Sequence, residues 1–198
     1  MTNSIHKFLL FSLTGILFSA CLQKPVKESR YFNIDSVVSN QVTYLPKIKS
    51  ILIKQALLNG KDDSTMITPK DSVAWATELD VFRQLEMINK PINRGLYSIV
   101  DEKDTKSNLM IRSFTSTKKE LAVQFLKIYY HNSTANLRKI EGLYLEKNYL
   151  YSSAINLSME FDNLYNKITL TNYTIKGKQK MFLSDSVNFT IRGKVKIN

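Results

Sequence analysis

The chain has 198 residues, of which 43% are hydrophobic and 23% are charged, with only six Gly and four Pro. This length suits one domain, and the composition excludes collagen-like, low-complexity and wholly disordered proteins. The 28 Lys and Arg exceed the 17 Asp and Glu, which gives a formal net charge of +11. One Cys excludes an intramolecular disulfide, and two His are too few for a histidine-based metal cluster. We therefore expect no metal and no cofactor.

The N-terminus is typical of an exported protein. Residues 1–7 are polar and end in one Lys, and residues 8–20 (FLLFSLTGILFSA) form a 13-residue run without a charge. A helix that spans a membrane needs ~20 apolar residues, so this run is too short to span and fits a secretory signal peptide. The sequence therefore predicts that residues 1–20 are a signal peptide.

Ser19 and Ala20 directly precede Cys21, the only Cys of the chain. Small residues before a Cys resemble the lipobox of bacterial lipoproteins, although Phe18 stands where that motif usually has Leu. The resemblance implies that the chain is cut before Cys21, that diacylglycerol is attached to its thiol and that its new amine is acylated. The alternatives are an ordinary signal peptide with an incidental Cys, or a buried N-terminal helix.

Residues 21–30 are interpreted as the lipidated Cys followed by a short polar tether that contains Pro25. Leu22, rather than Asp, follows Cys21, and no acidic run comes after it. By resemblance to lipoprotein sorting rules, these features imply an outer-membrane anchor that faces the periplasm.

Helical periodicity begins directly after the tether. Apolar residues recur every three to five positions over residues 31–45, which predicts a helix that ends before Pro46. A second helix is predicted to begin at Asp71 or Ser72, either of which can cap its first turn. Its apolar stripe consists of Trp75, Leu79, Phe82 and Leu85, and Pro91 bounds it. We interpret Trp75 as an anchor that packs this helix onto a sheet, with ligand stacking as the alternative.

Between these helices, residues 48–58 and 64–68 are predicted to form a hairpin around Asn59-Gly60, with Asp62 and Asp63 in its loop. After Arg94 the pattern changes to strands, predicted over residues 96–100, 108–115, 121–130, 137–147, 149–161, 167–175, 179–183 and 187–197. Period-two alternation in residues 149–161 and 187–197 predicts strands with one buried and one solvated face. The alternation changes phase within residues 121–130, which predicts a bulge or burial on both faces.

Together these elements predict a single α+β domain over residues 31–198. Two N-terminal helices with a hairpin between them precede a long antiparallel meander, which forms a curved sheet or half-barrel around the helices. One face is expected to bury Tyr151, Ile155, Leu157, Phe189 and Ile191.

The last hairpin is predicted to turn at Ser184-Asp185-Ser186. A three-residue loop places Leu183 opposite Val187 and Met181 opposite Phe189, because apolar residues of paired strands share a face. This register also places Lys178 opposite Arg192 and Lys176 opposite Lys194. Like charges in that arrangement repel, which suggests an acidic partner.

The sequence contains none of the common catalytic motifs that we searched for. A Walker loop, G-x-G-x-x-G, G-x-S-x-G and H-E-x-x-H are all absent. His131 is interpreted as a solvated turn residue. The acidic groups Asp62 with Asp63, and Asp101, Glu102 and Asp104, are interpreted as loop residues, although carboxylates of a hydrolase meet only in three dimensions. We therefore expect a protein that is not an enzyme.

The basic excess supplies the candidate ligand-binding residues, which alternate along two predicted strands: Lys176, Lys178, Lys180, Arg192, Lys194 and Lys196. Residues of one parity share a strand face. An exported lipoprotein rarely meets nucleic acid, so anionic lipid or an acidic envelope polymer is the expected partner. A solvated face that keeps the protein soluble is the alternative.

Three functions follow from these observations. The first is a lipoprotein that binds an apolar or anionic envelope ligand such as lipid; its helix-then-sheet order resembles the outer-membrane lipoprotein carriers, which implies acyl chains held in an open barrel. The second is a structural or accessory lipoprotein that docks on an envelope protein complex. The third is a hydrolase. An apolar cavity favours the first function, and an inner face filled with side chains favours the second.

Overall fold

The computed structural model describes residues 31–197, which form a sheet of nine strands with helices on one face. The strands are β1 (Ile51–Leu58), β2 (Lys61–Ile67), β3 (Tyr97–Lys103), β4 (Met110–Ser116), β5 (Val123–Tyr130), β6 (Leu137–Lys147), β7 (Tyr151–Leu164), β8 (Lys167–Met181) and β9 (Ser186–Lys196). The helices are α1 (Ile34–Tyr44), α2 (Ser72–Leu79) and the 3₁₀ helices Asp80–Asn89 and Pro91–Asn93.

All neighbouring strands are antiparallel, in the order β2-β1-β9-β8-β7-β6-β5-β4-β3. Strands β3 to β9 form the predicted meander, and the β1–β2 hairpin pairs with the free side of β9. The sheet is not closed, and its edges are β2 and β3. The described chain is mostly sheet, so the α+β class describes it only in part.

Two of the hairpins turn through pairs of residues with positive φ. Asn59 and Gly60 have φ of 46° and 85°, and Tyr165 and Asn166 have φ of 52° and 58°. Two-residue turns of this kind match the twist of antiparallel strands. Pairing therefore resumes at Lys61, directly after the first turn, and the expectation that Asp62 and Asp63 lie in a loop is wrong.

Strand β8 runs without a break through residues 176–178, where the sequence predicted a gap between two strands. Gly177 was part of that predicted gap. A Cβ atom at Gly177 would be only 2.3 Å from Cζ of Phe189, so glycine here admits a ring from β9. The glycine thus serves packing and does not end the strand.

The predicted bulge in β5 is confirmed. The register with β6 shifts between Val123 and Phe125. The shift turns Val123, Leu126 and Ile128 to the same face, where all three are fully buried. One extra residue in β5 therefore accounts for the change of phase in its apolar pattern.

We call the sheet face covered by the helices the inner face, and the opposite one the outer face. The stripe predicted for the second helix is fully buried here: Trp75, Leu79, Phe82 and Leu85. Asp71 caps α2, because its side chain accepts a hydrogen bond from Ala74 N. From Asp80 onward the segment is a 3₁₀ helix rather than an α-helix. Trp75 packs in the core, as expected of an anchor.

Polar contacts fix both α-helices to the sheet. The buried Gln41 donates from Nε2 to the Ile168 carbonyl and accepts from Leu170 N, both at 2.9 Å. On α2, Glu78 accepts a hydrogen bond from the Tyr173 hydroxyl and lies 2.8 Å from Lys54 Nζ. Gln41 therefore ties α1 to β8, and Glu78 ties α2 to β8 and β1.

The five residues predicted to be buried together do share the inner face. Leu157 is 2% exposed, whereas Ile155, Phe189 and Ile191 are only partly buried against the core. Tyr151 is also partly exposed. The facing is confirmed, but burial decreases toward the end of the sheet that holds the β6–β7 and β8–β9 turns.

Candidate functional site

The predicted cations lie on the outer face of β8 and β9, and these two strands supply one cation to each of six consecutive cross-strand rows. Lys180 lies opposite Ser186, Lys178 opposite Asn188, Lys176 opposite Thr190, Arg192 opposite Thr174 and Lys194 opposite Asn172. In the sixth row, Lys196 lies opposite Ile51. We call these six residues the basic stripe. Successive rows are ~7 Å apart, so the stripe is roughly 34 Å long.

The predicted register of the β8–β9 hairpin is wrong. Its last pair is Lys180 with Ser186, so five residues form the loop instead of three. Leu183 adopts a φ of 61° there, and Ser184 N–H donates to the Met181 carbonyl, so the chain turns beyond the end of the pairing. Because the predicted and the observed loop both have an odd number of residues, the side chains of β8 and β9 stay on the predicted faces. However, Lys178 and Lys176 do not lie opposite Arg192 and Lys194, and the predicted repulsion between them disappears.

Short side chains border the half of the stripe that lies on β8. Ser152, Ala154 and Asn156 flank it on β7, and Ser186, Asn188 and Thr190 flank it on β9. Two surface depressions of about 440 Å³ each open beside this half, and Lys178 lines both. Hydroxyl and amide groups can therefore bind an anion alongside the lysine ammonium groups.

The stripe carries no internal charge compensation. All six side chains are exposed, and within residues 31–197 none of them forms an ion pair. Glu160, in the row of Lys194, instead accepts a hydrogen bond from Asn172. Asp62 on β2 accepts one from Gln55. The outer face of β8 and β9 is therefore a line of positive charge available to a ligand.

Large side chains fill the space between helices and sheet. Trp75, Phe82, Phe114 and Tyr173 are at most 1% exposed. A groove of about 510 Å³ opens beside α1 at the molecular surface, lined by residues that include Tyr44. Between the helices and the sheet, the described residues are thus closely packed, whereas this groove lies at the surface.

The residues considered for hydrolysis include His131, in the loop between β5 and β6, and acidic residues of β3 and the loop after it. The His131 N–H donates to the Asn136 carbonyl in the β5–β6 loop. Asp101 and Glu102 lie on β3 rather than in a loop, so that expectation is wrong. The Arg112 guanidinium bonds both carboxylate oxygens of Asp101 at 2.7 Å and lowers the pKa of that carboxyl. Hydrogen bonds from Ser107 and Lys106 lower the pKa of Asp104.

Across residues 31–197, no three His, Cys, Asp or Glu side chains are placed to hold a metal ion. In the same part of the chain, no helix has the length and apolar character needed to cross a membrane. Cys21 and the predicted signal peptide lie outside the described residues, so the lipobox interpretation stays a prediction.

No protein-family profile matches the chain, and no curated protein is significantly similar to it. Its function is therefore inferred from the geometry and charge of the basic stripe.

Proposed function

We propose that the chain is a lipid-anchored protein of the bacterial cell envelope, without enzymatic activity, that binds an anionic envelope ligand along the basic stripe. The interpretation of Cys21 supplies the anchor, at the periplasmic face of the outer membrane. Within residues 31–197, β8 and β9 together supply one cation without an ion pair in each of six consecutive rows, and this observation carries the proposal.

The stripe suits a ligand with repeated anionic groups. Its cations follow one another at ~7 Å intervals along the strands. Phosphate or carboxylate groups in a line, on an acidic polymer or on a lipid surface, complement such a row of charges. The flanking Ser152, Asn156, Asn188 and Thr190 add hydrogen-bonding groups beside the lysines.

An accessory lipoprotein that docks on an envelope protein complex is the second candidate. The filled inner face favours it, because large apolar side chains occupy the space that an acyl chain would need.

We also propose that the open sheet curves around its helices as a half-barrel. In support, one layer of helices buries inner-face residues from Leu52 on β1 to Tyr97 near the far edge.

Binding of residues 22–198 to two probes tests the ligand proposal: soluble polyphosphate and vesicles containing phosphatidylglycerol. Lys178→Glu, Arg192→Glu and Lys194→Glu together should weaken binding by at least about tenfold, since each cation near an anionic surface contributes ~1 kcal/mol. Salt at ~1 M should also abolish binding, because it shortens the screening length of electrostatic interactions to ~3 Å. A polymer ligand predicts binding to polyphosphate, and a lipid ligand predicts binding to the vesicles.

The matched control carries Lys70→Glu, Lys90→Glu and Lys103→Glu, which change the net charge equally at exposed positions outside the stripe. This control should keep most of the affinity. Equal losses in the two triple variants, or no binding of the unaltered chain to either probe, would contradict the proposal.

A further inference from the structure

Five large apolar side chains project into solvent at one end of the sheet. Tyr149 and Leu150 lie in the β6–β7 turn and are 100% and 70% exposed. Met181 ends β8, and Phe182 and Leu183 follow it in the β8–β9 turn; the three are 56%, 71% and 91% exposed. We call these five residues the apolar tip. Contiguous exposed apolar surface of this kind marks an interaction site more often than ordinary surface does.

Hydrogen bonds fix the shape of the two turns and connect them. Phe182 N–H donates to the Leu150 carbonyl at 2.7 Å, which joins one turn to the other. Asn148 Oδ1 accepts from Leu150 N and Tyr151 N, and Asn148 N–H donates to the Tyr151 carbonyl. These backbone groups can therefore enter an apolar medium without losing hydrogen-bond partners, which would otherwise be costly.

Leu183 presents a large apolar side chain to solvent from a left-handed backbone position. Its φ of 61° lies in the left-handed region, which favours Gly or Asn and is unfavourable for a larger side chain. Its side chain is almost fully exposed, so it gains little from packing in the monomer.

Cations lie directly behind the apolar tip on the outer face. Lys147 and Lys180 flank Ser152 in one cross-strand row, and Lys178 belongs to the next row. Amphipathic segments at membrane surfaces bury apolar groups ~5–10 Å below the level of the polar head groups. Because rows of a sheet are ~7 Å apart, these lysines lie at a matching distance behind the turns. Asp185 is the acidic residue of the β8–β9 turn.

We propose that the apolar tip inserts into the interface of an anionic phospholipid bilayer, with Lys147, Lys178 and Lys180 against the lipid phosphates. The protruding turns, with cations behind them, complement a bilayer surface. This contact shares Lys178 and Lys180 with the basic stripe. It goes beyond the proposed function because it adds the apolar tip and orients the sheet end-on to the membrane.

A fluorescent probe at single positions of the full-length chain tests the insertion. Cys21→Ser removes the native thiol, and Leu183→Cys then carries a polarity-sensitive label at the tip. The matched label is at Tyr165→Cys, which is 80% exposed in the β7–β8 turn at the opposite end of the sheet. With phosphatidylglycerol vesicles, fluorescence at position 183 should rise several-fold, and spin labels in the acyl chains should quench it. Position 165 should not respond.

Leu150→Ser with Phe182→Ser should lower the inserted fraction at position 183 by about tenfold, at an unchanged melting temperature. Val73→Ser with Ile92→Ser, two exposed apolar residues outside the tip, should leave it unchanged. Three results would overturn the proposal: no rise in fluorescence at position 183, an equal rise at position 165, or a rise without vesicles that grows with protein concentration. The last result would indicate contact between copies of the chain. Equal loss of binding in the two triple lysine and arginine variants, with insertion at position 183 intact, contradicts only the proposed function. Binding that depends on the basic stripe, without insertion at position 183, contradicts only this inference.

Discussion

The ring of Tyr173 lies against Gly193 on the neighbouring strand, where a Cβ atom would be 2.0 Å from Tyr173 Cε1. The two residues are direct partners in the register of β8 and β9. The Tyr173 ring is 1% exposed, and its hydroxyl donates to Glu78 on α2. The missing side chain at Gly193 thus makes room for the ring that links the sheet to α2.

Gly193→Ala should therefore destabilise the fold by ~1–3 kcal/mol, because the added methyl group forces the buried Tyr173 ring out of position. Urea unfolding measures the change. Gly177→Ala is the comparison, since its Cβ would meet the Phe189 ring. Phe189 is only partly buried and can rotate away, so this loss should be smaller. Similar losses at both positions would contradict this explanation.

Leu157→Ala should lower the free energy of unfolding by ~2–5 kcal/mol, because it leaves a cavity at a side chain that is 2% exposed. Its neighbour Asn156 lies exposed on the outer face, and Asn156→Ala should change stability by less than ~0.5 kcal/mol. Denaturant midpoints of the two variants check the assignment of faces. A midpoint unchanged by Leu157→Ala would show that the facing is wrong.

Stability should fall above pH ~10, partly because of Tyr97. Burial, with a smaller contribution from Tyr31, raises the pKa of Tyr97 to about 12, and its hydroxyl donates to the Val123 carbonyl at 2.9 Å. The unfolded chain loses this proton near pH ~10 while the folded chain keeps it, so unfolding becomes easier as pH rises from ~10 to ~12.

Unfolding free energies measured from pH ~8 to pH ~12 test this dependence. Tyr97→Phe should reduce the fall in unfolding free energy at alkaline pH by roughly 1–2 kcal/mol. Tyrosinate absorbance should show that the native protein has one more tyrosine than the variant that ionises only well above pH ~10. Identical slopes above pH ~10 would contradict the assignment to Tyr97.

Cys21→Ser should abolish acylation and leave an unprocessed or unanchored product, because the thiol is the proposed site of lipid attachment. Acylation is measured by growing cells that produce the protein with a labelled fatty-acid analogue and then detecting the label on the chain. Label that persists in the variant would disprove the lipobox interpretation.

Period-two patterns predicted much of the sheet because alternation is a local property. Strand β6 has the predicted bounds, and the change of phase in β5 correctly indicated a bulge. The register of β8 with β9 was not predictable in the same way. It depends on how Leu183 and Ser184 turn the chain, and pattern constrains a loop only to an odd or even length.

The candidate site was likewise predictable from local pattern only in part. Parity placed all six cations of the basic stripe on one face, whereas their arrangement of one per row required the true register. The apolar tip was missed because its residues were assigned to strands. Consecutive apolar residues at Tyr149-Leu150 and Met181-Phe182-Leu183 interrupt the alternation next to turns, and that interruption was the available signal.

The pairing of β1 with β9 has a consequence for biogenesis. Asn188 N–H, in β9, bonds the side chain of Asn59, a residue 129 positions earlier, next to the end of β1. Such distant pairing forms slowly, because a long loop must close first. As the chain emerges from a ribosome, β1 has only β2 as its partner until β9 has been synthesised. For the exported protein proposed here, the nine-stranded sheet therefore cannot be complete before the residues of β9 have been synthesised.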